Sequence, residues 1–150
     1  MSTRSRIAIK LADDNFLSVY CHNDGYPSWV GSTLLKHFNT KEKAMELIAL
    51  GNLSSLHESI EKPEGHSFDH RIEGYTVAYG RDRGEKGQEA AKSYSVAQMI
   101  RAANDSDGEY IYLFDCETNK WGYSTLSIAY KQKSKTQWIE LTPENTKPRR

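Results

Sequence analysis

The chain has little cysteine, little proline, no net charge and no long apolar run, and each scarcity closes off a class of protein. Two cysteines and four prolines occur in 150 residues. A chain of that length buries enough surface to need no disulfide or metal staple, and two thiols without a secretory signal read as reduced. Basic and acidic residues balance at 20 each, so no global field draws the chain to bulk DNA or to an anionic membrane. No stretch approaches the roughly 20 apolar residues of a membrane span. The opening Met1-Ser2-Thr3-Arg4-Ser5-Arg6 lacks the apolar core of a signal peptide, which predicts a cytoplasmic protein. P-loop, Gly-x-Ser-x-Gly, His-Glu-x-x-His and dinucleotide fingerprints are absent. Histidines 22, 37, 57, 66 and 70 do not follow zinc-ligand spacing. Neither a metal nor a cofactor is expected.

What is present is aromatic and patterned, with nine Tyr and three Trp. Ile7, Ile9 and Leu11 alternate with polar or small residues, and Leu17, Val19 and Cys21 resume the alternation after Asp13-Asp14-Asn15, which predicts a β-hairpin. Ser28 is read as the cap of a helix carrying Val30, Leu34, Leu35 and Phe38, and Asn39 or Thr40 as the cap of a second helix that Gly51 stops. His57 to Gly74 loses all pattern and reads as a mobile surface loop. Tyr75 to Tyr79 reads as a strand, and Gly80 to Gln88 as a polar, glycine-rich loop. Val96, Met99, Ile100 and Ala103 mark a third helix capped by Ser95 or Ser93. Tyr110 to Phe114 and Trp121 to Leu126 form a second hairpin, Lys131 to Lys135 a basic turn, and Trp138 to Leu141 a last short strand. The expected fold is α+β: one mainly antiparallel sheet with about three helices on one face, spanning residues 1–142, followed by a polar tail at 143–150.

Two strand-end segments hold the candidate functional residues. In Tyr20 to Gly31, Cys21 continues the apolar face of its strand and His22 points the other way, so a Cys–His nucleophile is disfavoured. Asp24-Gly25 has the form of a tight turn in which glycine takes the positive φ. Tyr26 and Trp29 are either aromatic contacts for a partner or packing at a helix start. In Tyr79 to Glu85, the arginines of Gly80-Arg81-Asp82-Arg83-Gly84 suit an anion. The plain alternative is a solvated loop in which Asp82 and Glu85 offset Arg81 and Arg83.

These segments also carry a resemblance. Ser-Arg-Ile-Ala-Ile-Lys at residues 5–10, Val-Tyr-Cys-His-Asn-Asp-Gly-Tyr-Pro at 19–27, Ile-Ala-Leu-Gly-Asn-Leu-Ser-Ser-Leu at 48–56 and Val-Ala-Tyr-Gly-Arg-Asp-Arg-Gly-Glu at 77–85 resemble small proteins encoded by tailed bacteriophages and prophages. The likeness extends from residue 4 to about residue 126, with Asn23 and Asn52 standing where that group typically has Trp and Asp. It carries no catalytic residues. It implies a protein made in the host cytoplasm that binds a host macromolecule, including components of antiviral defence.

Three readings follow. The leading one is a non-enzymatic protein that binds a host protein through Tyr26, Trp29, Arg81 and Arg83. The second is a small-ligand binder whose arginine loop takes a nucleotide or nucleotide-derived signal. The third uses His22, Asp24 and Glu85 in acid–base chemistry and requires the two loops to converge within hydrogen-bond reach. An exposed edge strand also leaves a homodimer open.

Overall fold

The computed structural model describes residues 2–148. Its centre is the predicted hairpin, β1 (Ser5–Lys10) and β2 (Phe16–Cys21), paired antiparallel with Ile7 opposite Val19. The opposite edge of β1 takes β6 (Tyr110–Asp115) in parallel, which returns through β7 (Lys120–Thr125) and β8 (Ile139–Glu140). The outer edge of β2 is shared. β3 (Leu53–Ser55) pairs in parallel at Cys21 and carries β4 (Val77–Ala78) outside it, while β5 (Ala91–Ser93) pairs antiparallel along residues 16–18. The sheet is therefore mixed, ordered β4-β3-β2-β1-β6-β7-β8 with β5 beside β2.

Helices lie on both faces, where one covered face was expected. Ile7, Ile9, Val19, Cys21, Tyr112 and Phe114 face α1 (Ser32–His37) and α2 (Lys41–Ala49). Ala8, Phe16, Ile111 and Leu113 face α4 (Val96–Asp105) and α5 (Leu126–Gln132). The cause is legible in Ile111-Tyr112-Leu113-Phe114, an unbroken apolar run that only a strand buried on both sides can use. Five α-helices occur among the described residues, not three. The predicted basic turn at 131–135 begins inside α5, whose cap is Thr125 accepting from the Ile128 N–H, and continues as a 3-10 turn at Lys133–Lys135. The Tyr79–Arg83 stretch is a short helix, α3, closed by Gly84 in the left-handed conformation.

Thr40 and Ser95 cap α2 and α4 as expected, but Ser28 caps nothing. Pro27–Gly31 forms a π-helical turn that runs directly into α1. That turn sits on Tyr112, whose hydroxyl donates to the Gly25 carbonyl at 2.6 Å. Positive φ falls on Asp24 (56°) rather than on Gly25. Gly25 is needed for a different reason: a Cβ there would lie 2.7 Å from the Ser5 Cβ and 2.8 Å from the Thr3 oxygen. Residues 143–148, expected as a free tail, fold back in a turn in which the buried Thr146 hydroxyl donates to Thr142 O at 2.8 Å. Arg149 and Arg150 lie outside the described residues.

Gly25→Ala should destabilise the fold by about 1–3 kcal/mol through overpacking against β1. Urea denaturation will show this as a lower midpoint at unchanged slope, and an unchanged midpoint would contradict the close approach.

Candidate functional site

The two strand-end segments meet through one residue. Asn52, just before β3, accepts from the Tyr20 N–H on Oδ1 (2.9 Å) and donates from Nδ2 to Gln88 Oε1 (3.1 Å). Its carbonyl accepts from the Tyr79 N–H at 3.1 Å. The end of β2 and the start of α3 are thus fastened side by side, and the rest of the site is built on that join.

The His57 to Gly74 segment, expected as a mobile surface loop, is anchored from beneath. Asp82 in α3 is fully buried. It accepts from the Ala78 N–H (2.8 Å) and from Arg81 Nε (2.9 Å) and Nη2 (3.0 Å). Arg81 also donates to Thr76 O at 2.9 Å and to Ile60 O. Burial alone would raise the Asp82 carboxyl, but the Arg81 and Ala78 hydrogen bonds and the Arg81 charge outweigh it and hold it below its ordinary 3.8. His66 is buried beside it, with Nε2 3.6 Å from Asp82 Oδ2 and Nδ1 accepting from the Ile72 N–H at 3.0 Å. Because Nδ1 accepts, the imidazole proton lies on Nε2, facing the carboxylate. Phe68 N–H donates to Asp82 O at 3.1 Å. Arg81 is therefore turned inward as a clasp for this loop, and Arg83 is the arginine of the pair that faces solvent.

Outward, the clasped loop completes a belt of aromatic and guanidinium groups across the strand ends. Trp29, 40% exposed, donates from Nε1 to Leu56 O at 3.0 Å and meets His57 edge to face at 5.8 Å. His57 lies within reach of the charges of Asp24 and Arg71, and burial pushes its imidazole down. Arg71 donates to Phe68 O and Ser54 Oγ, both at 3.1 Å, and its guanidinium lies 4.5 Å from the Phe68 ring centroid. Arg83 covers the same ring at 4.2 Å and the Tyr79 ring at 4.8 Å. Beyond Tyr79 comes Tyr20, whose hydroxyl is 2.6 Å from His22 Nδ1. Beside Trp29 opens a cleft of about 970 Å³ between α1, His57 and Glu58 in the loop after β3, and the C-terminal turn at Thr146.

The acid–base candidates each have a separate partner. His22 pairs with Tyr20, and burial followed by the Arg4 charge lowers its imidazole. Asp24 accepts from the Tyr26 hydroxyl at 3.1 Å, and Tyr26 is 37% exposed. Glu85 is ion-paired with Arg83. Among the described residues no group of three His, Cys, Asp or Glu is placed to hold a metal. Cys21 is buried with its Sγ 3.6 Å from Asn23 O. Burial pushes its thiol up to about 12, so it is not a thiolate at neutral pH.

Sequence reasoning missed Tyr20, His57, Phe68 and Arg71 as members of this surface. A lone phenylalanine in a polar, patternless loop was the available signal for Phe68. Nothing local marks Arg71, whose role depends on Ser54 across a sequence separation of 17.

Two tests follow from the buried groups. The folded Asp82 titrates below its unfolded value, so its contribution is complete above about pH 4 and is lost as pH falls through the lower folded value. Asp82→Asn should cost about 3 kcal/mol at pH 7, the scale of a broken buried pair, and flatten the acid limb of the stability–pH curve; an unchanged acid limb would remove Asp82 as its source. In native protein at pH 8, Cys21 should resist a thiol reagent that labels it readily in urea, as peptide mass mapping will show.

No protein-family model matches this chain, and no curated protein or solved structure is significantly similar to it.

Proposed function

We propose that this is a non-enzymatic binding protein that recognises a host protein through the belt running from Tyr26 and Trp29 to Arg83 and Tyr79. The observation that carries the reading is the way those side chains are held. Trp29 and Arg71 make hydrogen bonds at their inner edges, to Leu56, Phe68 and Ser54, which leaves ring and guanidinium surface facing outward. Trp, Tyr and Arg dominate the energetics of protein interfaces, and groups already fixed in place lose little entropy on binding.

The cleft beside Trp29 supports the same reading, since it is wide and lined by Ser32, Lys36, Glu73 and Thr146 as well as by the tryptophan. Such a groove suits a chain segment better than a small enclosed substrate. The resemblance to phage-encoded proteins supplies the setting within this proposal: the host cytoplasm, with an antiviral defence component as the partner whose action is blocked. Relative to the sequence-based choice of residues, the binding set retains Tyr26, Trp29 and Arg83 and gains Arg71, while Arg81 serves from beneath.

Tagged protein expressed in a bacterial host should retain a stoichiometric protein partner through a wash at moderate salt. Trp29→Ala and Arg83→Ala should each weaken that complex by at least about thirtyfold, the hot-spot threshold of roughly 2 kcal/mol, as measured by surface plasmon resonance on the identified partner. Unchanged affinity in both variants would sink the assignment of the belt.

A further inference from the structure

We propose that Arg71 and Arg83, held over the single ring of Phe68, form a subsite for the diphosphate of a nucleotide. The proposal does not rest on a protein partner, because it needs only the local arrangement of two guanidinium groups.

Arg71 is the first observation. It is exposed, and it has no carboxylate within ion-pair distance among the described residues. It is nevertheless immobilised at three points: Nε on Phe68 O, Nη2 on Ser54 Oγ, and the guanidinium plane on the Phe68 ring. A guanidinium has five N–H donors, so Nη1 and one N–H of Nη2 remain for a ligand. A fixed cation with a free fork and no counter-charge is matched by an oxyanion, which takes two parallel charge-assisted hydrogen bonds.

Arg83 is the second. Its guanidinium carbon lies 4.2 Å from the same ring centroid that Arg71 approaches at 4.5 Å. The two groups can be no farther apart than the sum of those distances, a span that two linked phosphates cover with one phosphate on each fork. Arg83 is ion-paired with Glu85 through Nη2, which offsets part of its charge, while its Nε and Nη1 make no hydrogen bond among the described residues and remain open to a ligand that competes with Glu85. The Tyr79 ring, 4.8 Å from the Arg83 guanidinium carbon, also offers a flat surface to a nucleobase. The chain lacks the P-loop lysine and serine or threonine that accompany nucleotide hydrolysis, so the step proposed is binding alone.

Isothermal titration of the full chain at low salt with ADP, inorganic pyrophosphate and inorganic phosphate tests the subsite. ADP and pyrophosphate should saturate one site per chain at submillimolar concentration, with inorganic phosphate at least about tenfold weaker. Arg71→Gln and Arg83→Gln should each reduce ADP binding by at least about tenfold, whereas Lys131→Gln should leave it unchanged. Wild-type protein gives a second readout: the side-chain Nε–H resonances of Arg71 and Arg83 should shift on ADP addition. Equal, weak binding of all three anions that is indifferent to Arg71→Gln would mean an adventitious ion only and would overturn the proposal. Resonance shifts confined to other arginines would do the same. Pyrophosphate binding without ADP binding would overturn the nucleotide.

Discussion

The buried ion pair of Arg81 and Asp82 is the interaction on which the exposed surface depends. A carboxylate with no solvent contact survives only if its lone pairs are occupied, and here the Arg81 guanidinium and the Ala78 N–H occupy them. The same guanidinium reaches the carbonyls of Ile60 and Thr76, so one cation closes both ends of the intervening loop. Such a pair adds little net stability compared with apolar packing. Neither partner can leave without stranding the other, so removing either one is costly. Phe68 and Arg71 occupy their places because the loop that carries them is fastened there.

The two arginines of this short helix are unequal in a way the sequence conceals. Arg81 and Arg83 are two residues apart and look equivalent as letters. In a strand they would share a face, and in a flexible loop both would be free. In a single helical turn they are about 200° apart, so one faces the core and the other faces solvent. The identification of a short helix, rather than a loop, is what separates the clasp from the contact residue.

Much of the central layer was legible. The hairpin of β1 and β2, the caps at Thr40 and Ser95 and the burial of Cys21 follow from alternation and local hydrogen bonding, which are properties of neighbouring residues. What failed was long-range. The second helical layer depends on reading Ile111 to Phe114 as apolar on both faces, and Gly25 is required by the approach of β1, not by its own φ. His66 looked like a loop histidine, yet it lies against Asp82, which is 16 residues away in sequence, and no period links the two positions.

The site follows the same division. Residues that act singly, such as Trp29, stand out by type, whereas Arg71 acquires its position only from Phe68 and Ser54. That distinction bears on the chemistry the surface can support. Acid–base catalysis requires two or three titrating groups converging on one atom, but His22, Asp24 and Glu85 are each held by a different neighbour: Tyr20, Tyr26 and Arg83. Every one of those contacts leaves an aromatic ring or a guanidinium plane beside the polar group it fixes. A surface arranged in this way is rigid, stacked and cationic in patches. On the binding reading proposed above, it is these rings and planes that meet the partner, and the hydrogen bonds of His22, Asp24 and Glu85 serve to keep them in place.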